Sequence, residues 1–402
     1  MPQKASVIVV GGGPCGSFSA FTTAKLGVDV TVCEEHREIG APSHCPSHVS
    51  LGGLKQLRLK LPKEIVENKI RGAVFYSPSG YEFQVKFAHP VTCVLNRALF
   101  DKFLANLAEE AGAKFRLGTR VESLLLDSGH VTGVSVKGEN LKSNLVIDCE
   151  GCSSVLLKKA GLPVLERSMV VQGVEAEVDK IADVENDTVE VYLGDKYAPC
   201  FYAWIIPRPD GSAKVGLATK TGNPAKYLQR FMGQNPKARS KLQRSKIVKV
   251  SYHPLTLGGP LAKTYHDGLL VVGDAASQVK PTTGGGIIMG LNCAKIAGTT
   301  AQEAIEQGDT SATFLSRYQD RWQRVIGFDM TVMRQMRLML NRLSDRKLDR
   351  IVALSSQLGL DEDLKHVGEI DFQGKGIVPL VRSPAAWIIA FYAILSSLTS
   401  PL

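Results

Sequence analysis

The chain has 402 residues, of which 44% are hydrophobic and 22% are charged, and its formal net charge at pH 7 is +9. This composition excludes a disordered or low-complexity protein, and the length predicts two or three domains because single hydrophobic cores stop growing near roughly 250–300 residues. The chain is basic but has no zinc-finger pattern, RNP-type aromatic motif or sustained basic helix, so we expect no nucleic-acid partner.

The eight cysteines are scattered along apolar segments and lack the regular spacing of a disulfide framework. No secretory leader is recognisable at the N-terminus, so we expect a reducing, cytoplasmic environment. The single Cys-x-x-Cys pair, Cys149 and Cys152, has no second pair to complete a four-ligand zinc site, and we expect no metal.

The segment 5–35 predicts a strand, a glycine-rich turn, a helix and a second strand, which together form a mononucleotide-binding βαβ unit. In its Gly-x-Gly-x-x-Gly turn, Gly11 permits the tight bend, Gly13 lets a pyrophosphate approach the backbone, and Gly16 lets the helix pack on the strand. Glu34 ends the second strand about 20 residues further on, where a carboxylate can hold a ribose hydroxyl. These features predict a dinucleotide site rather than a purely structural turn.

Further along the chain, 70–87 predicts two strands around a Ser-Pro-Ser-Gly turn and 96–112 predicts a helix. The segment 115–148 predicts short strands. The segment 168–220 has the alternating pattern and turn residues of an antiparallel sheet, and 311–366 has helical spacing.

A second glycine-rich turn, within VVGDAASQVKPTTGGGI at 271–287, favours FAD over NAD because a simple nicotinamide domain does not need it. Asp274 follows a buried strand and can accept a hydrogen bond from a ribityl hydroxyl, while the glycines at 284–286 offer backbone amides to the carbonyl edge of the flavin. Asp274 could alternatively cap the following helix, although that role does not explain three successive glycines.

The uncharged C-terminal segment 383–402 is close to the roughly 20 residues that a membrane-spanning helix needs. Its serine, threonine and proline content favours a buried or membrane-surface helix over a true span.

The order of VIVVGGGPCG, Glu34, Arg97 in NRALFDKFL and GDAASQVKPTTGGGI resembles that in flavoproteins of the p-hydroxybenzoate hydroxylase type over about the first 330 residues. The middle Asp-Gly motif of that family is replaced here by Glu150 and Gly151, which weakens any role of the motif in nicotinamide recognition. The same motif accounts for the Cys-x-x-Cys pair as a packed turn.

Within that superfamily, PCFYAWIIP at 199–207 resembles the Pro-x-x-Tyr-x-Trp-x-Phe-Pro signature of geranylgeranyl reductases, with Ile206 in the place of Phe. The loop REIGAPSHCPSHVSLGGLKQL is similar to their loop that carries a cysteine near the flavin, and Cys45 is the matching residue. Pro46, Ser47 and His48 replace the usual small residues. The closest resemblance, length included, is to the archaeal digeranylgeranylglycerophospholipid reductases.

The resemblance implies an α/β fold with a Rossmann-type FAD-binding domain, an antiparallel-sheet substrate domain and a C-terminal helical region with an apolar tail. We expect the FAD-binding domain at 1–69, 88–165 and 258–310, the substrate domain at 70–87 and 166–257, and the helical region at 311–402. The residues expected to hold FAD are Gly11, Gly13, Cys15, Gly16, Glu34, Cys45, Pro46, Arg97, Val121, Asp274, Gly285, Gly286 and Ile287.

The implied activity is that of an FAD-dependent oxidoreductase acting on CH–CH groups, which saturates the double bonds of geranylgeranyl chains. Such a reduction needs a hydride from reduced flavin N5 and a proton for the other carbon. Cys45 is the favoured proton donor, and His44, His48 and Tyr202 are further candidates because their segments are expected to approach the flavin. Cys45 could instead be a packing residue, and the two histidines could act only as hydrogen-bonding groups within their loop.

Tyr202, Trp204 and Pro207 are expected to bind the isoprenoid chain, although aromatic residues that alternate along a strand are also typical of any sheet core. The expected partners are a prenylated lipid, the inner surface of the cell membrane and an external electron donor, which the sequence leaves open among ferredoxin, a deazaflavin and a nicotinamide.

Two other functions are compatible with the sequence. YAWIIP also resembles the halogenase pattern Trp-x-Trp-x-Ile-Pro, which Ile206 fits and Tyr202 does not, so a flavin-dependent monooxygenase or halogenase is one alternative. The early glycine-rich segment lacks the lysine that halogenases use. The other alternative is a non-catalytic flavin- and lipid-binding protein.

Overall fold

The computed structural model describes residues 5–43, 45–365, 367 and 370–399. His44, one of the candidate proton donors, lies outside these residues. The strands in chain order are β1 (Ala5–Val10), β2 (Val30–Cys33), β3 (His48–Ser50), β4 (Val66–Ile70), β5 (Gly72–Tyr76), β6 (Glu82–Lys86), β7 (Thr92–Leu95), β8 (Lys114–Arg116), β9 (Val121–Asp127), β10 (His130–Val136), β11 (Glu139–Asp148), β12 (Val170–Val178), β13 (Thr188–Leu193), β14 (Tyr202–Pro207), β15 (Ala213–Thr219), β16 (Ile247–Thr256), β17 (Tyr265–His266) and β18 (Leu269–Val271).

The helices in chain order are α1 (Pro14–Lys25), α2 (Leu51–Gln56), α3 (Arg97–Glu110), α4 (Val155–Lys159), α5 (Pro224–Gln234), α6 (Pro236–Leu242), α7 (Ile287–Gln307), α8 (Ala312–Trp322), α9 (Phe328–Leu340), α10 (Asp345–Gln357), α11 (Leu360–Leu364), α12 (Gln373–Ile377) and α13 (Pro384–Leu398). Short 3₁₀ turns and one π-helical turn connect some of them.

The chain divides into two compact units. The first unit comprises Met1–Ser43, Arg97–Met169 and Thr256–Met330, and the second comprises His44–Asn96, Val170–Leu255 and Thr331–Leu402. Relative to the boundaries expected from the sequence, 44–69 and 88–96 lie in the second unit, and 166–169, 256–257 and 311–330 lie in the first. The division into three functional domains stays a prediction.

The first unit is built on an eight-stranded sheet. Five of its strands are parallel, in the order β18-β11-β1-β2-β8, and β17 pairs antiparallel with β18 at the edge. Strands β9 and β10 extend from β11 as an antiparallel ribbon. Because β1 and β11 are central and covered on both faces, they are almost entirely apolar where they pair, and Val7, Val9, Val146 and Ile147 are fully buried.

Helix α1 packs against both α3 and α7 in the first unit. Its buried face consists mostly of small residues, with Phe18 as the large one. Gly298 of α7 allows the approach of the two helices because a Cβ at that position would lie 2.7 Å from Cβ of Thr22. This order of parallel strands with covering helices confirms the Rossmann-type α/β fold predicted from the sequence.

The second unit contains two sheets. The larger has the order β16-β12-β15-β14-β13-β5-β6 and is antiparallel except for the parallel pair β5 and β13. The smaller has the order β3-β7-β4. The sheets pack through an apolar cluster in which Ile70 and Val94 of the smaller sheet meet Val189 and Ile206 of the larger.

The C-terminal part of the second unit is helical from α9 to α13. Across the residues that the structure describes, no single helix is long and apolar enough to cross a membrane. The helical segments Gln373–Arg382 and Pro384–Leu398, bent by 118° at their junction, reach that length and composition only together.

Candidate functional site

The carboxyl ends of four parallel strands meet at one edge of the first unit's sheet. In spatial order, β18 leads to Gly273, β11 to Cys149, β1 to Gly11 and β2 to Glu34. In sheets of this type, ligands bind in the crevice outside these strand ends. The edge therefore brings together both glycine-rich turns and the acidic residue that the sequence singled out.

The first glycine-rich turn has two glycines that the protein needs for its own packing. Gly11 has φ +90°, and a Cβ on it would lie 2.5 Å from the carbonyl oxygen of Cys149. A Cβ on Gly16 would lie 1.8 Å from the carbonyl oxygen of Gly11, so helix α1 can begin this close to β1 only with glycine.

Gly13 is different, because a Cβ placed on it meets no described atom within 4 Å beyond its chain neighbours. Gly13 also precedes the first residue of α1, and within the described chain no side chain caps that helix N-terminus. The first N–H groups of an α-helix lack intrahelical partners and carry the positive end of the helix dipole. The geometry at Gly13 thus fits the close approach of a pyrophosphate.

Glu34 holds the first glycine-rich turn through a hydrogen bond from the turn's backbone. It is 8% exposed, and its carboxylate accepts hydrogen bonds from the N–H of Gly12 at 2.6 Å and from the N–H of His36 at 2.8 Å. Nδ1 of His36 also lies 2.6 Å from the carboxylate oxygen that accepts the His36 N–H. Each carboxylate oxygen has two acceptor sites, so the oxygen bonded by Gly12 keeps capacity for a ribose hydroxyl. The contact of Glu34 with a ribose stays a prediction.

The second glycine-rich turn packs directly on the first through a thiol. Gly273 has φ +73°, and a Cβ on it would lie 2.7 Å from Sγ of Cys15, while a Cβ on Gly290 would lie 2.5 Å from the same atom. Burial, assisted by Asp274, raises the pKa of the Cys15 thiol, so it is a neutral packing group. The start of α1 therefore fits against the second turn because two glycines leave room for one sulfur atom.

Two residues that the sequence analysis missed hold the second turn in place. The N–H of Gly273 donates to Oε1 of Gln278 at 2.8 Å, Nε2 of Gln278 donates to the Tyr318 hydroxyl at 2.9 Å, and that hydroxyl donates to the carbonyl oxygen of Val271 at 2.9 Å. All of these groups are buried. Tyr318 lies on α8 and carries no local signal beyond its core spacing.

The rest of the predicted 284–287 segment lies next to this turn. Oδ1 of Asp274 would be 3.1 Å from a Cβ on Gly286, and Cε of Lys280 would be 2.9 Å from a Cβ on Gly285, so a side chain at either position would have to displace a neighbouring side chain. Helix α7 begins at Ile287, and no side chain in the described ranges caps its N-terminus. Its first amides are therefore suited to bind a carbonyl or phosphate oxygen.

The remaining predicted cofactor residues of the first unit are Arg97 and Val121. Nε of Arg97 donates to Oδ1 of the buried Asp101 at 2.6 Å, and burial raises the pKa of that carboxyl although Arg97 opposes the shift. Val121 begins β9, two residues after Thr119, whose N–H donates to the carbonyl oxygen of Glu34 at 2.7 Å. Their contact with FAD stays a prediction.

The motif at Glu150 and Gly151 has a structural role in the first unit. The Glu150 carboxylate accepts hydrogen bonds from the N–H groups of Val155 and Leu156, at 3.0 and 2.9 Å, and so caps α4. A 3₁₀ turn over Gly151–Ser153 carries Cys152, and the cysteines on either side of the motif are free thiols.

Cys45 and Pro46 lie in the second unit, in the loop before β3. The next residue, Ser47, is fully buried with φ +54°, and its N–H points at Sγ of Cys45 over 3.3 Å. Its hydroxyl donates to the carbonyl oxygen of Cys45 at 3.2 Å. His48 begins β3, and its Nε2 is 2.6 Å from Oγ1 of Thr92 on β7.

Tyr202 and Trp204 lie two residues apart on β14, with ring centroids 6.0 Å apart and planes at 67°. Burial raises the pKa of Tyr202 to about 12, although Arg337 opposes the shift, so the phenol is neutral at physiological pH. Pro207 ends the strand and is buried, and its carbonyl oxygen accepts a hydrogen bond from Nδ2 of Asn68 at 2.8 Å.

The indole ring of Trp204 occupies the space left by a glycine on the neighbouring strand. A Cβ on Gly216 of β15 would be 2.4 Å from Cζ2 of the indole, so only glycine leaves room for the ring. The indole N–H donates to Oε2 of Glu175 on β12 at 3.3 Å. Neither Glu175 nor Gly216 was predicted, because the cross-strand register that brings them to Trp204 is not encoded in the local pattern.

Glu175 is a buried acid among charged neighbours. Its carboxyl is 7% exposed, and burial raises its pKa from 4.5 to about 7, with Glu177 adding to the shift and Lys214 and Arg208 opposing it. The carboxyl is therefore partly protonated at neutral pH.

Substitution of Gly13 tests whether its open backbone binds the FAD pyrophosphate. In Gly13→Ala, the apoprotein should lose at most about 1 kcal/mol of stability, because the added Cβ meets no described atom and only the N-cap preference for glycine over alanine is lost. FAD affinity should fall about tenfold or more through lost phosphate hydrogen bonds. In Gly16→Ala, the apoprotein itself should be destabilised. Flavin fluorescence titration and denaturant unfolding measure these effects, and unchanged FAD affinity in Gly13→Ala would contradict the assignment.

Glu175 should make stability depend on pH. Because its folded pKa is raised, its contribution is complete below pH 4.5 and is lost as pH rises through about 7, a loss of about 3 kcal/mol. Glu175→Gln should remove this part of the pH dependence, whereas Glu64→Gln, at an exposed glutamate, should keep it. Urea unfolding between pH 4.5 and 8 measures the difference, and identical pH profiles for Glu175→Gln and wild type would refute it.

Comparison with known proteins agrees with this geometry. A protein-family profile described as an FAD-binding domain matches residues 4–327. Digeranylgeranylglycerophospholipid reductase 2 of Methanopyrus kandleri is 36% identical over 371 residues, which cover 90% of this chain and 92% of the relative. The digeranylgeranylglycerophospholipid reductase of Methanocaldococcus jannaschii is 34% identical, with coverage of 88% and 90%.

The fold is also found among solved structures. A geranylgeranyl bacteriochlorophyll reductase-like protein from Thermoplasma acidophilum superposes with a TM-score of 0.86 at 27% identity, covering 97% of this chain and 99% of that one. A flavin-dependent brominase superposes with a TM-score of 0.70 at 16% identity, which shows a shared fold alone. The cofactor is FAD, and the chain belongs to the digeranylgeranylglycerophospholipid reductase family of FAD-dependent oxidoreductases.

Proposed function

We propose that this protein saturates the carbon–carbon double bonds of geranylgeranyl chains in digeranylgeranylglycerol phospholipids. The observation that carries the proposal is that relatives named for this reaction match about nine-tenths of the chain at 31–36% identity. Flavin-dependent halogenases share the fold at 14–19% identity, which carries no argument about activity.

Several groups of the first unit are suited to hold FAD. The open backbone at Gly13 and the N-terminus of α1 fit its pyrophosphate, Glu34 fits a ribose, and the start of α7 fits the carbonyl edge of the flavin. When bound and reduced, FAD supplies the hydride. An external electron donor must reduce it, and ferredoxin, a deazaflavin and a nicotinamide are the three candidates.

Cys45 supplies the proton in this proposal. Its Sγ lies 3.3 Å from the N–H of Ser47, so a thiolate left after proton transfer would accept that hydrogen bond. Tyr202 keeps its phenolic proton at neutral pH and is the second candidate donor. His48 ranks below both because one ring nitrogen is already in hydrogen-bond contact with Thr92.

Tyr202 and Trp204 form the aromatic surface proposed to bind the isoprenoid chain. Their rings are edge to face, which is a favourable arrangement for two aromatic groups, and Phe201 stacks on Tyr202 with centroids 4.3 Å apart. An apolar aromatic surface binds a prenyl chain and excludes water from the reacting carbons.

A 20-carbon chain that leaves a bilayer forfeits about 0.8 kcal/mol per methylene, or about 16 kcal/mol in total, so we propose that the protein works at the inner surface of the cell membrane. Helix α13 supports this location. Trp387, Phe391, Ile394 and Leu398 follow one another at helical spacing and are 51–68% exposed.

The opposite face of α13 is buried and consists of small and polar residues. Ser396 and Ser397 are buried, and Nζ of Lys347 on α10 donates to the carbonyl oxygen of Ser396 at 2.7 Å. Arg382 is exposed just before the helix. A helix that exposes its apolar stripe beside a cation is suited to the interface of an anionic bilayer.

The activity test uses purified FAD-loaded protein, a digeranylgeranylglycerol phospholipid and chemical reductant under anaerobic conditions. The lipid mass should rise in steps of two hydrogens. Cys45→Ala should lower the rate about 10²-fold or more while FAD content is kept, because general acid catalysis is lost. Cys293→Ala, which removes a buried thiol on α7, outside the Cys45 loop and the 199–207 segment, should keep wild-type activity. An unchanged lipid mass with fully reduced FAD would refute the proposed function, and full activity in Cys45→Ala would refute the role of Cys45.

Membrane binding should be tested by co-sedimentation with phosphatidylglycerol vesicles. In Trp387→Ser/Phe391→Ser, binding should weaken about tenfold or more, since two aromatic side chains of the stripe are removed. Reduction of detergent-dispersed lipid should persist. The control is Val248→Ser/Tyr252→Ser, which removes equally exposed apolar groups from β16. Equal loss in both variants, or no loss in the first, would rule out α13 as the binding surface.

A further inference from the structure

A buried lysine links the loop of Cys45 to the large sheet of the second unit. Lys214 lies on β15 and is 4% exposed. Its Nζ donates to the carbonyl oxygen of Pro46 at 3.3 Å and to that of Leu95 at 3.2 Å. Pro46 directly follows Cys45, so this ammonium group holds the backbone next to the thiol.

The same two segments are joined by the backbone. The N–H of Leu95, at the end of β7, donates to the carbonyl oxygen of Ser47 at 3.0 Å. The segment 45–47 and the end of β7 are therefore joined twice, once by this backbone hydrogen bond and once by the Lys214 ammonium group. Removal of the ammonium would leave two inward-facing carbonyl groups without that donor, and burial makes such a loss costly.

The charge of Lys214 is balanced locally. Oε2 of Glu67 on β4 lies 2.7 Å from its Nζ, and the same carboxylate oxygen is 3.3 Å from Nε of Arg208. Arg208 also pairs with Glu177 at 2.7 Å. A buried ion pair of this kind is weak evidence for stability, because desolvation offsets most of its Coulomb attraction. Its geometric effect is therefore the more informative property.

Lys214 shares a sheet face with the aromatic surface. On β15, side chains alternate between faces, so Lys214 and Gly216 point to the same side. Gly216 is the residue over which the indole of Trp204 lies, and Lys214 is opposite Ile206 in the pairing of β14 with β15. Strand β15 therefore contacts both parts of the candidate site: Gly216 leaves room for the Trp204 ring, and Lys214 binds the loop that carries Cys45.

We propose that Lys214 is a positioning residue, which fixes the loop of Cys45 relative to the Tyr202 and Trp204 surface by binding the carbonyl groups of Pro46 and Leu95. Lys214 itself contacts no reacting atom in this proposal. The effect on turnover rests on the proposed function of Cys45, whereas the effect on loop position does not.

The test measures the alkylation rate of Cys45 by iodoacetamide in the FAD-loaded protein, read by mass spectrometry of the Cys45 peptide. In Lys214→Met, the rate should rise about tenfold or more, because the charge-assisted hydrogen bonds to the carbonyl groups of Pro46 and Leu95 no longer hold the loop in place. For lipid reduction, kcat should fall by a similar factor while KM stays within about twofold, since misplacement of the proton donor affects the chemical step.

The matched control is Lys241→Met. Lys241 is a second buried lysine of the same unit, 8% exposed and paired with Glu190, and its Nζ also donates to the hydroxyl of Tyr76 at 3.3 Å. Among the described residues, it makes none of the contacts that Lys214 makes to the Cys45 loop. Loss of a buried ion pair should lower the stability of both variants, but only Lys214→Met should alter alkylation of Cys45 and kcat.

A second variant without the buried Lys214–Glu67 charge pair keeps the test possible if the single variant does not fold. If Lys214→Met does not fold, Lys214→Met/Glu67→Gln removes both partners and avoids an uncompensated buried charge. Cys45 alkylation at the wild-type rate in this double variant, or an equal rise in Lys241→Met, would overturn the proposal. Faster alkylation of Cys45 in a protein that never reduces prenyl lipid would sustain the positioning role and refute the proposed function.

Discussion

One sulfur atom packs against two glycines at the carboxyl edge of the first unit's parallel strands, where the candidate FAD site lies, and this contact fixes the geometry of that edge. Sγ of Cys15, at the start of α1, occupies the space that a side chain on Gly273 or Gly290 would need. This contact brings the N-terminus of α1, the turn after β18 and the body of α7 together. The other features of the edge follow from it, because the helix ends can bind one ligand only if they are held at fixed positions.

Glycine has two distinct functions along this edge. At Gly11 and Gly16 it satisfies the packing of the protein itself, since a Cβ would overlap backbone oxygen atoms. At Gly13 the protein makes no such demand, and the open space is available to a ligand. A single motif therefore combines structural and ligand-binding requirements, and the geometry around each position separates them.

The elements that the sequence predicted best are those whose pattern is local. The βαβ unit over 5–35 corresponds to β1, α1 and β2, the helix expected at 96–112 is α3, and the two strands around the Ser-Pro-Ser-Gly turn are β5 and β6. Their apolar periodicity and turn residues lie within one short segment. The fold class and the cofactor followed from motifs that combine spacing with a specific chemistry.

The contacts that complete the candidate site are long range, and no local pattern contains them. Lys214 and Pro46 are 168 positions apart, Gln278 and Tyr318 are 40 apart, and Trp204 meets Glu175 only through the strand order of the sheet. Strand β3 also lies within a segment for which the sequence predicts a loop. Tertiary register decides such partners, and one sequence carries that information only in distributed form.

Most of the cysteine thiols in this protein are poorly reactive at neutral pH. Burial raises the pKa of seven thiols, which belong to Cys15, Cys33, Cys93, Cys149, Cys152, Cys200 and Cys293. Because the thiolate is the reactive species, these side chains resist oxidants and electrophiles at neutral pH. A spectroscopic label attached through mild thiol chemistry at neutral pH should therefore react poorly with these seven side chains and report on a small part of the molecule.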